Sequence, residues 1–327
     1  MALHNLRADL RQQGFTLVEI MVGLAIGLLA TLVIIQVLSV FEVQKRTTTG
    51  TADAQTNGSI ALYQIGRELQ LAGFGLMPAE NSPLECTTLT ISGVADTTVP
   101  NRLTPAVITD GVSDTVTLRY GSSETGGVPI QITMGTPTAF DATVNDNFSC
   151  SVGDTAIATS SDGTTCNMTY VTSSVATTVT LAHAVTGVEL SCLDNWNEVT
   201  FAVNGGNLQR NGQDIVAGIV NLQAQYGIST AANSNQITLW VDPTGAWAAP
   251  SIADRNRIKA IRLAVVARNP KMEMANATSA VTAWTGSASS PAPAVDLSAD
   301  TDWQRYRYRV FETIIPLRNM IWSKDTL

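Results

Sequence analysis

Glu19 stands at the edge of a stretch that charged side chains avoid. From Arg11 the chain reads RQQGFTLVEIMVGLAIGLLATLVIIQVLSVFE, and the 22 residues from Ile20 to Phe41 carry no charge. At 1.5 Å per residue they span about 33 Å, close to the thickness of a bilayer's hydrocarbon core. A carboxylate beside such a segment is costly, and where it is kept it usually has a function. It takes a cation as partner or binds a proton. A secretory signal has a shorter apolar run, about 7–15 residues, followed by its small-residue cleavage site. Here the small residue, Gly14, precedes the apolar run.

The other residues with chemical potential are sparse. Beyond His4 the chain holds one histidine, His183, and a lone histidine is more often structural than catalytic. No G-x-S-x-G, H-E-x-x-H, G-x-G-x-x-G or phosphate-cradling G-x-x-x-x-G-K-[ST] occurs, so no enzyme class is indicated and no cofactor is expected. Asp141, Asp146 and Asp154, and again Asp296, Asp300 and Asp302, could collect a calcium ion. Neither set has the spacing of an EF-hand loop, and solvated loops are the expectation. Arg305, Arg307 and Arg309 alternate with Tyr306, Tyr308 and Val310, a two-faced strand that could meet phosphate. The net charge of −8 argues against a nucleic-acid partner and favours a solvated or salt-bridged face. Six tryptophans between positions 196 and 322 could stack on sugars, but core or interface filling is expected.

The elements that position these groups are one long helix and many short strands. Residues 15 to about 72 read as helix, apolar all round to Phe41 and amphipathic thereafter. Leu62, Ile65, Leu69 and Ala72 form its apolar stripe. Gly50 and Gly58 should weaken it between the halves, and Gly73 and Gly75 with Pro78 should end it. Strands are expected at 116–120, 155–158, 168–172, 179–182, 199–203, 237–241 and 258–266. Hairpins should turn at 160–163 and at Asn204-Gly205-Gly206-Asn207. Ile215, Ile219, Leu222 and Tyr226 suggest a short helix or turn leading into a strand. Residues 285–300 read as an exposed loop.

The run GFTLVE followed by an uncharged segment resembles the class III signal of type IV prepilins and type II secretion pseudopilins. GIVNLQAQYG (218–227), RIKAIRLAVVAR (257–268) and RYRVFETIIPLRN (307–319) resemble segments of the PilW family of minor pilins. The resemblance implies an α+β, pilin-like fold: a long N-terminal helix, membrane-spanning in its first half, packed on a large antiparallel β-rich head. It implies a leader at 1–14, a membrane and filament-core helix at 15–42, an amphipathic second half at 43–75 and a periplasmic head at 76–327. A prepilin peptidase would cut between Gly14 and Phe15 and methylate Phe15. Glu19 would pair with the N-terminal amine of a neighbouring subunit. Basic residues flank the apolar segment on both sides, Arg7 and Arg11 before it and Lys45 and Arg46 after it, so charge alone leaves orientation open. The resemblance places the leader in the cytoplasm. The implied function is a minor pilin, seated in the inner membrane before assembly, that joins other minor pilins and the major pilin to prime or cap a fibre. A type II secretion pseudopilin and a tip adhesin are the alternatives.

Four cysteines, Cys86, Cys150, Cys166 and Cys192, match no zinc spacing, and an exported domain with an even count suggests two disulfides. A hairpin turning at 161–163 puts residue 150 opposite position 174, about 26 Å along the ladder from Cys166, too far for a bond. A second turn near 173–176 brings Val179–His183 back beside Cys166, so Cys192 can return to that end. The expected pairs are therefore Cys166–Cys192 and Cys86–Cys150.

Overall fold

The structure, a computed structural model, describes residues 14–76, 82–133, 140–293 and 295–321. The chain forms two compact units, Met1–Gly50 and Thr51–Leu327. Helix α1, Leu17–Leu69, contributes to both. In the first unit its apolar side chains from Leu17 to Phe41 are exposed. Thr31 and Ser39 donate their hydroxyls to the carbonyls of Leu28 (2.9 Å) and Gln36 (2.7 Å). Those hydroxyls therefore need no water, as a lipid-facing helix requires.

In the second unit α1 buries one face. Ala61, Ile65, Leu69 and Ala72 are fully buried, while Leu62 is only partly so. The helix runs through Gly50 and Gly58 without a break. At Gly58 packing requires the glycine: an added Cβ would lie inside the Phe311 ring. The end of α1 is tied down three ways. Glu68 accepts from the Tyr120 hydroxyl (2.7 Å) and from Arg210 Nη2 (2.9 Å). Asn319 Nδ2 donates to the carbonyls of Gln70 (3.3 Å) and Ala72 (3.0 Å). Gly73, at φ +79°, turns the chain away.

The strands are β1 Thr88–Ile91, β2 Val94–Ala95, β3 Ala106–Thr109, β4 Thr115–Gly121, β5 Ile130–Gln131 and β6 Asp141–Thr143. Next come β7 Thr155–Thr159, β8 Thr165–Val175, β9 Thr178–Leu181, β10 Glu189–Cys192, β11 Trp196–Asn204 and β12 Asn207–Arg210. The last are β13 Gln213–Ala217, β14 Ile219–Ile228, β15 Leu239–Val241, β16 Ile258–Arg268 and β17 Tyr308–Pro316, followed by a short helix, Arg318–Ile321. They form three sheets. The first is β2-β1-β8-β7-β10-β5, with β9 on β8 and β6 on β9. The second is β13-β12-β11-β4-β3, and the third β15-β14-β16-β17. All pairings among them are antiparallel except β1 with β8. The fold is α+β, with a β-rich head on the second half of α1. The head's main core joins that helix to the second and third sheets through Ile65, Phe201, Tyr226 and Leu263. The first sheet has two smaller cores of its own.

Most expected strands are present, but residues 215–226 are not helical. They form β13 and β14, joined at Gly218 with φ +75°. The helix-like spacing of Ile219, Leu222 and Tyr226 misleads because β14 is buried on both faces. Between its apolar residues stand Asn221, Gln223 and Gln225, each almost fully buried. They serve an edge. β15 covers only residues 226–228 of β14, and the rest of that edge meets the loop at 110–114. Ser113 Oγ accepts from Leu222 N (3.0 Å), Asp114 N donates to the Leu222 carbonyl (2.8 Å), and the Asp114 carboxylate accepts from Ala224 N (2.7 Å). Asn221 and Gln223 amides both donate to the Val112 carbonyl. Tyr226 closes another edge, its hydroxyl accepting from Ile108 N of β3 at 2.6 Å.

The 285–300 loop is less exposed than its composition implies. Ser290 Oγ accepts from Trp240 N, the Pro291 carbonyl accepts from Gln225, and Leu297 is buried. Trp284 and Trp240 stack on Arg262 at 4.1 and 4.8 Å, which holds the segment against β16.

Both disulfides are present, with pairings other than those expected: Cys86–Cys166 and Cys150–Cys192. The β7–β8 hairpin forms as anticipated, with Thr159 opposite Cys166 and Thr155 opposite Tyr170. The error lies in the next strands. β10 lies on the far side of β7 with Cys192 opposite Ala156, at the end where Cys150 enters. β1 lies parallel to β8 with Leu89 opposite Cys166, which brings Cys86 to it. The loops close over sequence separations of 80 and 42 residues, worth about 4 kcal/mol each in the chain-entropy model, though the loops overlap and do not add. Non-reducing peptide mapping should recover these two cross-linked pairs; a Cys166–Cys192 fragment would refute the first sheet's strand order.

Gly58→Ala should lower the melting temperature of the detergent-solubilised protein. In an exposed helix the change stabilises by about 1 kcal/mol. Here it forces the Phe311 ring aside, at a cost of about 1–3 kcal/mol. A raised melting temperature would show that ring to be free to move.

Burial pushes the Asp114 carboxyl up to about 7, against the opposing pull of its bonds from Ala224 N and Gly111 N. A carboxyl whose pKa is raised on folding binds its proton more tightly in the native state. Its contribution is full below the unfolded value near 4 and is lost as pH climbs through about 7. Stability should therefore fall over that window, and Asp114→Asn should flatten the fall. Urea titrations of both proteins at pH 4.5 and 7.5 would check it; an unchanged slope in the variant assigns the pH dependence elsewhere.

Candidate processing and assembly site

Gly14, Phe15 and Thr16 are exposed and precede the first turn of α1. Four amides at a helix start lack intrahelical partners. Thr16 and Glu19 supply some of the missing bonds. Glu19 N donates to Thr16 Oγ1 at 3.2 Å, and Thr16 N donates to Glu19 Oε2 at 3.3 Å. The Thr16 hydroxyl also donates to Glu19 Oε2 at 3.3 Å. This reciprocal pair is a capping box, and the pattern T-x-x-E that signals one is legible in Thr16-Leu17-Val18-Glu19. Glu19 also sits in the first turn, where the helix dipole favours negative charge. The sequence reading treated Glu19 as a charge seeking a cation and missed this local role. Arg11 and the rest of the leader lie outside the described residues.

The structure gives the other candidates plain settings. Asp154 accepts from Ser151 N, Asp146 from Phe148 N and Asp296 from Ser298 N, all turn bonds. Asp300 pairs with Arg268 at 2.6 Å and Asp302 with Arg305 at 3.2 Å. His183 lies after β9, its backbone N bonded to Thr169 Oγ1. Among the described residues no group of three or more His, Cys, Asp or Glu side chains converges on a metal position. The arginine alternation is split. Arg305 lies in a short 3₁₀ turn, Trp303–Arg305, and Arg307 pairs with Glu273 at 3.0 Å. Arg309 is in β17. Trp247 stacks on Arg257, as Trp240 and Trp284 do on Arg262. Trp322 lies outside the described residues.

Residues 9–35 match the family model of the prokaryotic N-terminal methylation motif. That match falls on a helix apolar enough to cross a membrane and continued into a β-rich head, an arrangement similar to that of type IV pilin-like proteins. Residues 170–319 match the family model of type IV pilus-assembly protein W. That segment, most of the second half of the head, is similar to the PilW family. Among solved structures, a type IV-like pilin from Thermus thermophilus is similar at 11% identity and a TM-score of 0.36, covering 81% of this chain and 96% of that one. No curated protein matches the chain.

Proposed function

We propose that the chain is a minor pilin that joins other minor pilins in a complex priming or capping a type IV pilus. The observation that carries this reading is the capped, membrane-length helix under a methylation motif, continuous with a PilW-type head. In this reading residues 1–14 are a leader that a prepilin peptidase removes, and 15–42 anchor the protein in the inner membrane with the head in the periplasm. Cleavage of the Gly14–Phe15 bond leaves a charged α-amine four residues from Glu19. Glu19 then neutralises the amine of a neighbouring subunit as the helix leaves the lipid, since two opposite charges enter an apolar core more cheaply together than apart. The protein acts by contact with the major and minor pilins and needs no cofactor.

Intact-mass analysis of sheared fibres should find this chain starting at methylated Phe15, and Gly14→Val should leave the precursor full length. Fibre-borne chain that still begins at Met1 would end the minor-pilin reading.

Glu19 has two separable roles, and two substitutions part them. Glutamine keeps an oxygen at the third helical position and so keeps the capping box, but it carries no charge. Glu19→Gln and Glu19→Ala should both insert in the membrane, and both should be depleted from fibres about ten-fold or more. Normal incorporation of Glu19→Gln beside loss of Glu19→Ala would assign Glu19 to capping alone.

A further inference from the structure

We propose that a cleft between the start of β17 and α1 receives a carboxylate side chain of a neighbouring subunit, gripped by Arg309. The proposal rests on the minor-pilin reading above. Arg307 and Arg309 are alternate residues of an extended segment, so they share one face at about 7 Å spacing. With Thr51 and Ala54 of α1 and Thr278 opposite, they line a cleft of about 280 Å³.

The arginines are not equivalent. Arg305 Nε donates to the Glu273 carbonyl and its Nη1 to Asp302. Arg307 Nε donates to the Glu273 carboxylate at 3.0 Å. Arg309 makes no ion pair and no side-chain hydrogen bond among the described residues, although the chain carries 27 acidic side chains. Its register opposite Ala267, a residue of the main core, turns it toward the α1 side of the third sheet. An arginine fork held at a cleft mouth suits bidentate binding of a carboxylate. The volume lies just below the range of drug-sized pockets and takes one side chain. A nucleic acid would need several cations to release its counterions. Here Arg305 and Arg307 already face Asp302 and Glu273, and the chain's net charge is −8.

The test uses the full-length chain in piliated cells, with a photo-crosslinking residue at Ala277, which lines the cleft and is exposed. Irradiated fibres should yield a crosslink to a peptide of another pilus subunit that contains Asp or Glu. Arg309→Glu should cut that crosslink about ten-fold while leaving the melting temperature unchanged, Arg309→Lys should keep it, and changing the partner's carboxylate to Arg should restore it in Arg309→Glu. Equal crosslinking by wild type and Arg309→Glu, or crosslinks confined to the chain itself, would overturn the cleft proposal alone. A duplex DNA oligonucleotide bound through Arg309, with the fibre crosslink unaffected, would overturn it in favour of nucleic acid. Wild-type chain absent from fibres would overturn it together with the minor-pilin reading.

Discussion

The head holds together because two sheets close each other's open edges. A strand at a sheet edge presents unpaired amides and carbonyls, and burying them unsatisfied costs as much as losing the bonds. In β14, only residues 226–228 face β15 on that side. The loop from Gly111 to Asp114 supplies the missing partners at Leu222 and Ala224. In return Tyr226 reaches from β14 to the free edge of β3. The second and third sheets are thereby fixed in one arrangement by main-chain bonds as well as by apolar contact. The buried face of α1 packs on that joint core, so Ile65 and Leu69 depend on it. Polar residues deep in β14 belong to the same device. Asn221 and Gln223 hold the Val112 carbonyl, and Gln225 binds Asp242, Pro291 and Arg262.

The first sheet solves its stability differently. Its two cores are small, one rich in Ala and Val and the other in Leu, and among the described residues no part of α1 lies in either. Each core contains one disulfide, Cys150–Cys192 in one and Cys86–Cys166 in the other. Small cores commonly rely on such cross-links. The match to the PilW family begins at residue 170, inside β8, and runs to residue 319. It therefore takes in the third sheet and most of the second but leaves out β1, β5, β6 and β7. Much of the core that packs on α1 lies within that match, but β3 and β4 of the same core lie outside it, as does most of the disulfide-stapled sheet.

What the sequence discloses follows the range of the interactions involved. The long helix, the stripe at Ile65, Leu69 and Ala72, and the hairpins at 160–163 and 204–207 are local, and local pattern is enough to read them. β14 was misread because burial on both faces erases the period of two. Its Asn and Gln residues look solvent-facing until the 110–114 loop, more than a hundred residues earlier, is placed against them. The disulfide pairing failed for the same reason. The β7–β8 register was derivable from the turn, but the parallel approach of β1 and the position of β10 beyond β7 are long-range choices that no turn encodes. At the N-terminus the opposite happened. The capping box is legible in four consecutive residues, Thr16 to Glu19, but the uncharged run beside them makes the charge of Glu19 a stronger signal than its hydrogen bonds.

Those two readings of Glu19 concern one side chain at different stages. A capping carboxylate at the third helical position needs only an acceptor oxygen and a nearby amide, and Thr16 provides the amide at 3.3 Å. The exposure of Thr16 and Glu19 leaves the remaining lone pairs of Glu19 open. Cleavage after Gly14 would replace a neutral peptide group with a cation at Phe15, one residue before the cap. The same carboxylate can hold its own helix start and still accept a charged donor from another chain, because a carboxylate accepts several bonds while the cap uses only Oε2. Helix order and the proposed subunit pairing would therefore not compete for Glu19. The helix end is formed without the amine, so little ordering would be left to oppose the pairing.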